Sequence, residues 1–290
     1  MSQDPDPGTL VVGEYFLAVE GYAMIRHCVT DPSAARPRVD EMREILARFE
    51  EFPNSLAIPL TEHAVEDGYT AWAPHYDRPN PAIELEEPIT RGMIAAVPPG
   101  DALDAACGTG RHAATLVELG HRVVGVDTTE AMLAVAREKV PAADFRSGRL
   151  EQLPVEDESV DLITCALALT HVERLEPVMR EFVRVLRPGG QAILTDIHPV
   201  ATMTGTIAAF PDRDITHGIP YVRNLTHQVS EYVTAFLDVG LSIIACVEPC
   251  VTDSVLQVFP SFPVLPDATR QAFLDTPYLL IWHLERPAPA

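Results

Sequence analysis

Short apolar runs alternate with helical patterns from Asp101 to Thr195, and this alternation constrains the fold of the chain more than any other feature. The runs that are typical of strands are Ala102–Ala105, Arg122–Val126, Val160–Ala166 and Gln191–Thr195. The helical patterns between them are Arg111–Leu119, Thr129–Val140 and Leu175–Leu186. Strict alternation requires parallel strands joined by right-handed crossovers. We therefore predict an α/β fold with a doubly wound, mostly parallel sheet.

The flanking segments carry further helical and strand patterns. Two helical patterns, Tyr15 to Cys28 and Val39 to Phe49, predict an N-terminal helical cap over residues 1–68. Two β-rich segments near the other end are Leu241–Val247 and Tyr278–Leu284. Two such strands joined by a long loop after an α/β unit favour an antiparallel hairpin on the edge of the sheet.

The charge balance narrows the range of partners. The chain carries 42 acidic and 21 basic residues, for a formal charge of -21. Nucleic-acid binding depends on clustered Lys and Arg side chains, so nucleic acid is not expected as a partner. No apolar run is long enough to cross a bilayer and the acidic, proline-rich start does not resemble a signal peptide, so we expect a cytoplasmic protein with no membrane partner. The five cysteines lack metal-ligand spacing, and no metal is expected.

A glycine-rich turn follows the first strand of the alternating region. Gly108 and Gly110 permit backbone conformations that a Cβ would obstruct, and a helix begins directly after them. The free N–H groups of a helix start favour a phosphate or carboxylate. The spacing Gly108-x-Gly110-x-x-Ala113 also fits the loose dinucleotide fingerprint, so a nicotinamide-dependent oxidoreductase is a rival interpretation at this point.

Two aspartates near the turn bear on this choice, and one of them separates the two interpretations. Asp104 precedes the turn, and its charge would repel a pyrophosphate but favour an ammonium or a sulfonium. Asp127 closes the next strand, where a carboxylate can accept hydrogen bonds from a ribose diol. The second role is common to both classes of protein, so Asp104 is the residue that disfavours a dinucleotide.

Five segments in order carry a resemblance to a known family. They read DAACGTGR, VVGVDTTEAML, LEQLP, DLITCALALTHV and FVRVLRPGGQAIL. Together they resemble class I S-adenosylmethionine-dependent methyltransferases, particularly the small-molecule and ubiquinone-biosynthesis-like group, over roughly residues 69–199. The resemblance implies a seven-stranded Rossmann-like sheet with S-adenosylmethionine as cofactor. It also implies one methyltransferase domain over residues 69–290, with a cofactor core at 97–199 and an acceptor-pocket and hairpin region at 200–290.

The resemblance assigns roles to individual residues. Asp104 and the Gly108–Gly110 loop would hold the methionine end of the cofactor, with Ala166 close by, and Asp127 would bind the ribose. Thr128 would lie against the adenine. The full set of expected cofactor contacts is Tyr76, Asp104, Ala106, Gly108, Gly110, Asp127, Thr128, Met132, Arg149, Leu150, Glu151 and Ala166.

One position departs from the family pattern. The family often has an aspartate where Arg149 stands, and that acid accepts a hydrogen bond from the adenine amino group. A guanidinium has no acceptor atom. The replacement leaves the Leu150 backbone, side-chain packing and Glu151 as the candidate adenine contacts.

Two histidines are candidate catalytic residues. His171 follows the strand 160–166 and His198 follows the strand 191–195, so both lie beyond the carboxyl ends of strands, where active groups gather in this fold. Either could act as a general base, because the histidine pKa lies close to neutral pH. The alternatives are structural: His171 could bond backbone at a helix start, and His198 could anchor the turn before Pro199.

The sequence predicts transfer of a methyl group from S-adenosylmethionine to the oxygen, nitrogen or carbon of a small molecule, with S-adenosylhomocysteine as product. A cofactor-binding protein, or an S-adenosylmethionine-dependent enzyme of another reaction type, stays open. A nicotinamide-dependent oxidoreductase is the third interpretation. A homodimer is the candidate assembly.

Overall fold

A computed structural model describes residues 8–211 and 215–288 of the chain. Its strands are β1 (Thr9–Val11), β2 (Ala57–His63), β3 (Asp101–Ala105), β4 (Arg122–Asp127), β5 (Asp144–Ser147), β6 (Val160–Ala166), β7 (Leu186–Ile197), β8 (Ala208–Ala209), β9 (Ile219–Val222), β10 (Ser242–Val247) and β11 (Leu279–Glu285). Its α-helices are α1 (Val12–His27), α2 (Pro32–Ala47), α3 (Val65–Trp72), α4 (Pro81–Ala95), α5 (Arg111–Glu118), α6 (Glu130–Lys139), α7 (Leu175–Val185), α8 (Pro199–Met203), α9 (Val229–Asp238), α10 (Asp253–Leu256) and α11 (Pro266–Phe273). Short 3-10 turns lie at Ala73–His75, Leu169–His171 and Ile215–His217.

The larger of two compact units is an α/β structure that is built on one sheet. It contains residues 64–207, 223–249 and the described residues from 277 onward. Within these residues the sheet has seven strands in the order β10-β11-β7-β6-β3-β4-β5. Strands β7, β6, β3, β4 and β5 run parallel, while β11 is antiparallel to β7 and β10 is antiparallel to β11. The predicted doubly wound sheet and its antiparallel edge hairpin are confirmed.

The central strands are buried on both faces. Leu103 and Ala105 on β3 are fully buried, as are Leu162 and Ile163 on β6. One face is covered by α7 and α9, and the other by α4, α5 and α6. A fully buried Leu or Ile side chain stabilises a fold by about 1.5–3 kcal/mol, so these two strands form the rigid centre of the unit.

Helix α7 shows why this sequence covers the sheet as a helix. Its buried residues are Leu175, Val178, Met179, Phe182 and Val185. Their spacing of three and four residues places all of them on one helical face. That apolar face packs into the same core as β3 and β6.

The strand order determines where a ligand can reach the unit. From β3 the chain runs outward through β4 to β5, and β6 then lies on the opposite side of β3. The order of strands therefore reverses between β3 and β6. In open α/β sheets a crevice forms at such a reversal, outside the carboxyl ends of the strands.

The second compact unit contains residues 8–63, 208–222 and 250–276 as far as they are described. Helices α1 and α2 occupy the two predicted helical patterns, and α1 packs on α11 through Val19, Ala23, Ala268 and Ala272. Among its described residues a sheet of four short strands has the order β1-β2-β9-β8. The sequence analysis missed this sheet, because β2 has only one buried residue, Ile58, and resembles a linker. The domain division at residues 68 and 69 stays a prediction.

A buried cluster of charges lies within this second unit. Glu20 on α1 is fully buried, and its Oε2 lies 3.5 Å from Nη1 of Arg38, which is 2% exposed. Arg38 also pairs with Glu41, with Nη2 2.8 Å from Oε1. Two carboxyl groups thus share one guanidinium. Burial and the neighbouring Glu41 raise the pKa of Glu20 to about 8, because a proton removes the excess negative charge.

None of the described helices combines the length and apolar composition that are needed to cross a bilayer.

The raised pKa of Glu20 predicts a pH-dependent stability. The folded protein holds this proton more tightly than the unfolded chain, whose glutamates titrate near 4.5, so stability is lost as the pH rises toward about 8. Glu20→Gln keeps the shape of the side chain without the titration. We expect the free energy of unfolding of the wild type to fall by roughly 2–4 kcal/mol more than that of Glu20→Gln between pH 5 and pH 8. Urea unfolding followed by circular dichroism measures the difference.

Glu50→Gln, at an exposed position, is the matched control and should follow the wild-type curve. Parallel curves for the wild type and Glu20→Gln would contradict the assignment.

Candidate functional site

A cleft with a cavity volume of about 150 Å³ opens at the carboxyl ends of β3, β4 and β6 in the larger unit. Open α/β sheets bind their ligands at this edge. The cleft is lined by Val65, Glu66, Tyr69, Tyr76, Ala106, Gly108, Asp127, Thr128, Thr129, Gly148, Arg149, Leu150, Glu151, Ala166, Leu167, Ala168, His171 and Val172. The predicted site residues that do not line it are Asp104, Gly110, Met132 and His198.

Asp127 sits at the end of β4 with its carboxylate held by backbone groups. Oδ2 accepts a hydrogen bond from the Gly108 N–H at 2.9 Å, and Oδ1 accepts one from the Thr129 N–H at 2.8 Å. Burial raises the pKa of Asp127, while the same backbone N–H groups oppose the rise. Each carboxylate oxygen has a second lone pair. Asp127 can therefore accept further hydrogen bonds from a ligand in the cleft.

Asp104 occupies a different place from the one that its charge suggested. It is 2% exposed, and Oδ2 accepts a hydrogen bond from the Ala113 N–H at 2.8 Å. Oδ1 accepts one from the Thr164 hydroxyl at 2.9 Å. Asp104 thus fastens the first turn of α5 to β6 from behind the glycine turn. Asp104 is not among the residues that line the cleft, and its expected role at the methionine end of the cofactor stays a prediction.

Gly110 and Met132 lie below the cleft. Gly110 has a φ of +80°, and a Cβ there would lie 3.3 Å from Ala136 and Phe145. A side chain at this position would therefore be both strained and crowded. Met132 on α6 is 1% exposed and buried in the core. Both residues shape the support of the site, whereas Gly108 lines it directly.

Two residues that line the cleft have left-handed backbone conformations without being glycine. Ala106 after β3 has a φ of 54°, and Leu167 after β6 has a φ of 55°. Such conformations cost on the order of 1 kcal/mol each and persist where the surroundings enforce them, often at functional sites. The Leu167 N–H donates to the Thr195 carbonyl at 2.9 Å, which fixes one of them. The conformation of Leu167 could not be predicted from the sequence, since a leucine does not indicate a positive φ.

Arg149 lies at the exposed mouth of the cleft. Its guanidinium is 3.7 Å from Glu66 on α3 and 3.7 Å from Glu151. Arg149 is 68% exposed, so these ion pairs contribute little stability. The arrangement places both signs of charge beside the apolar side chain of Leu150.

Tyr76 is held over the glycine turn by its neighbour Asp77. The Thr109 hydroxyl donates to Asp77 Oδ1 at 2.6 Å, and the ammonium of Lys139 donates to Oδ2 at 2.9 Å. A Cβ on Gly108 would lie 3.8 Å from the Tyr76 ring. Burial raises the pKa of Tyr76 to about 12, so the phenol stays uncharged. Lys139, the one lysine of the chain, therefore helps to position Tyr76 at the cleft.

The aromatic residues of α3 and the following turn form one cluster. The Tyr69 ring lies 5.6 Å from Trp72 and 6.0 Å from Tyr76 between centroids, and Trp72 meets Tyr76 edge-on at 5.1 Å. Aromatic pairs at such distances add about 0.5–1.5 kcal/mol each beyond their burial. Tyr69 and Tyr76 line the cleft, whereas Trp72 braces them.

His171 lines the cleft and is joined to this cluster. Its Nε2 lies 2.8 Å from the Tyr69 hydroxyl, and its Nδ1 lies 3.1 Å from the Arg223 carbonyl oxygen. Burial lowers the pKa of His171, so the ring is neutral at neutral pH. Sequence reasoning chose His171 by its position after the strand and missed Tyr69 as its partner.

His198 is engaged in a structural arrangement. Its Nδ1 accepts a hydrogen bond from the Val200 N–H at 3.1 Å, which caps α8. Its Nε2 therefore carries the proton and donates to Glu248 Oε1 at 2.9 Å. With both ring nitrogens occupied and His198 not among the residues that line the cleft, its contacts fit the turn-anchoring alternative better than a catalytic one.

Part of the chain is similar to known proteins. Residues 103–194 match a family model described as a methyltransferase domain. Over 95 residues the chain is 39% identical to a demethylmenaquinone methyltransferase of Chlorobaculum parvum, covering 32% of this chain and 39% of that protein. Over 149 residues it is 34% identical to a demethylmenaquinone methyltransferase of Listeria welshimeri, covering 47% and 63%. The matched part therefore spans less than two thirds of these relatives.

A solved structure shares the fold. The S-adenosylmethionine-dependent methyltransferase from Mesorhizobium loti superposes with a TM-score of 0.53 at 23% identity, covering 70% of this chain and 98% of that one.

The two contacts of the Asp77 carboxylate allow a test of how the segment that carries Tyr76 is held in place. Thr109 is 1% exposed, so Thr109→Val removes a partly buried hydrogen bond to a carboxylate, and we expect the free energy of unfolding to fall by roughly 1.5–3 kcal/mol. Lys139→Met removes a partly exposed ion pair and should cost less than about 1 kcal/mol. Urea unfolding measures both.

Thr115→Val is the matched control, because the Thr115 hydroxyl makes only a 3.4 Å contact with the Arg111 carbonyl in its own helix. A Thr109→Val loss no larger than the control loss would mean that Asp77 does not hold this segment.

Proposed function

Because residues 103–194 form a methyltransferase domain of the class I, S-adenosylmethionine-dependent type, we propose that this chain transfers a methyl group from S-adenosylmethionine to a small-molecule acceptor. The observation that carries the proposal is the position of Asp127 at the carboxyl end of β4, beside β3 and on the lining of the cleft. S-adenosylhomocysteine would be the product.

The residues along the cleft fit the cofactor chemically. Asp127 offers acceptor oxygens to the ribose hydroxyls, because a carboxylate oxygen that accepts one backbone N–H can accept a second hydrogen bond. Leu150 and the methylene groups of Arg149 offer an apolar surface to a base, with Thr128 close by. Ala106, Gly108 and Ala166 present backbone rather than bulky side chains to the remaining part of the cofactor.

The proposed set of cofactor contacts follows the cleft lining. Tyr76, Ala106, Gly108, Asp127, Thr128, Arg149, Leu150, Glu151 and Ala166 are proposed as direct contacts. Asp104, Gly110 and Met132 are proposed to act indirectly, by supporting the loop and helix beneath them.

When bound, S-adenosylmethionine supplies a methyl group that is already electrophilic. The protein then has to align the acceptor, exclude water and, for some acceptors, take up a proton. The aromatic residues of α3 and the following turn enclose the cleft from one side. His171 is the candidate proton acceptor, because its neutral ring faces the cleft beside Ala168 and Val172.

The match to the family model lies in the donor half. The matched family segment ends at residue 194, before the stretch 200–290 to which the sequence analysis assigned the acceptor pocket. The relatives named above act on demethylmenaquinone by their names, and this supports a small organic acceptor without identifying it. We also propose a cytoplasmic homodimer without nucleic-acid partners, on the basis of the sequence.

Ligand binding tests the proposal directly. In a thermal-shift experiment a ligand that binds only the native state raises the midpoint, so S-adenosylhomocysteine should raise it and NAD should not. Stabilisation by NAD alone would overturn the proposed function. Screening candidate acceptors by mass spectrometry for the gain of a methyl group then identifies the second substrate.

A substitution at Asp127 tests the ribose contact. Asp127→Asn keeps one acceptor oxygen but loses the charge and should weaken S-adenosylhomocysteine binding by roughly 2–4 kcal/mol, as measured by isothermal titration calorimetry. Asp157→Asn is the matched control, since Asp157 is 75% exposed and lies outside the cleft lining. An unchanged dissociation constant for Asp127→Asn would place the ribose elsewhere.

A further inference from the structure

Tyr69 and His171 form a hydrogen-bonded pair whose two members come from separate parts of the larger unit. Tyr69 lies on α3, and His171 ends the 3-10 turn after β6. The phenol oxygen is 2.8 Å from Nε2, the two rings meet edge-on at 5.4 Å, and both side chains line the cleft. The proposed function uses His171 and leaves the role of Tyr69 open.

The direction of the hydrogen bond follows from the second partner of the imidazole. Nδ1 faces the carbonyl oxygen of Arg223 at 3.1 Å, and a carbonyl can only accept. Nδ1 therefore carries the proton of the neutral ring, and Nε2 is an acceptor. The Tyr69 hydroxyl must then donate to Nε2. An oxygen that donates its proton in this way can still accept a hydrogen bond, and Tyr69 lines the cleft.

The protonation states agree with this direction. Burial raises the pKa of Tyr69 well above its usual value, so the phenol is protonated. Burial lowers the pKa of His171, so the imidazole is neutral and able to accept a proton.

The loop that carries His171 is fixed. The Thr170 hydroxyl donates to the Leu225 carbonyl at 3.0 Å, and the Leu225 N–H donates to the Thr170 carbonyl at 2.7 Å. Thr170 itself is buried. The ring of Tyr69 is held in turn by Trp72. The pair is therefore preorganised, which is what a proton-transfer group requires.

We propose that Tyr69 is the residue that faces the methyl acceptor, as the first member of a Tyr69–His171 proton relay, and that the acceptor is an uncharged hydroxyl, either an alcohol or a phenol. This inference rests on the proposed function. As the acceptor oxygen bonds to the methyl group and the carbon–sulfur bond breaks, the acceptor proton passes to the Tyr69 oxygen. The Tyr69 proton passes to Nε2 of His171. The positive charge of the sulfonium is thereby replaced by that of the imidazolium, whose Nδ1–H stays bonded to Arg223.

The geometry favours this route over direct deprotonation by His171. Nε2 is already occupied by the Tyr69 hydroxyl, so an acceptor could reach it only by breaking that hydrogen bond. A thiolate or a neutral amine needs no proton removal before it attacks, so a relay would give either of them little advantage. The pair is thus suited to an acceptor whose oxygen becomes nucleophilic only as its proton leaves.

The test uses three probes on one ring skeleton: 2-naphthol, 2-naphthalenethiol and 2-naphthylamine. With S-adenosylmethionine saturating, Tyr69→Phe should lower kcat for the naphthol roughly 10²-fold or more, which is the usual contribution of general-base catalysis. His171→Gln should do the same. Turnover of the thiol and the amine should change much less, and the KM of the naphthol should stay close to the wild-type value. Tyr22→Phe, a hydroxyl deletion in the other compact unit, is the matched control and should resemble the wild type.

Several outcomes overturn the relay. Equal losses for all three probes in Tyr69→Phe would show that the hydroxyl only supports the cleft. Naphthol turnover that is unaffected in Tyr69→Phe would show that no proton passes through it. Wild-type enzyme that methylates the thiol or the amine but not the naphthol would contradict the hydroxyl class.

A second measurement needs no turnover. In the complex with S-adenosylhomocysteine, ¹⁵N NMR should show His171 protonated at Nδ1, and Tyr69→Phe should shift the Nε2 resonance as its hydrogen bond is lost. An Nε2–H tautomer, or a His171 spectrum unchanged in Tyr69→Phe, overturns the relay whether or not a probe is methylated. Failure to bind S-adenosylhomocysteine at all would instead overturn the proposed function, so the two failures are distinguishable.

Discussion

Two buried carboxylates hold the glycine turn against the ends of the strands, and the geometry of the cleft depends on them. Asp104 fastens the start of α5 to β6, and Asp127 binds the Gly108 and Thr129 N–H groups. Both give up hydration to do so, which is why burial raises the pKa of each. Backbone groups that would otherwise be free to move or bind water are thereby fixed. Only Asp127 keeps an exposed side toward a ligand.

The sequence predicted the parts of the fold that are encoded locally. Strands and helices of the central sheet alternate with clear periodicity, so their order, the parallel pairing and the edge hairpin were recoverable. The small sheet of the second unit was not, since Ile58 is the one buried residue of β2, and β2 pairs with β9 across more than 150 residues. Nothing in a stretch such as Ala57–His63 reveals a partner that distant.

The sequence predicted those site residues whose position at a strand end determines where they lie on the sheet. Residues at the ends of β4 and β6, such as Asp127 and Ala166, line the cleft because strand ends meet at one edge of the sheet. Asp104 was placed by its charge, and charge does not say which way a side chain points. Tyr69 and His171 are 102 positions apart in the chain, so their hydrogen bond could be recognised only from the folded structure.

The attachment of Lys139 to Asp77 has a practical consequence. The sequence contains a single side-chain amine, and that amine touches the segment that closes over the glycine turn. An acylating reagent attacks side-chain amines and the α-amine alike, so modification of this lysine is read separately, from the mass of the peptide that contains it. The rate of that modification reports on this one segment, because it depends on how often the ammonium is released from the carboxylate.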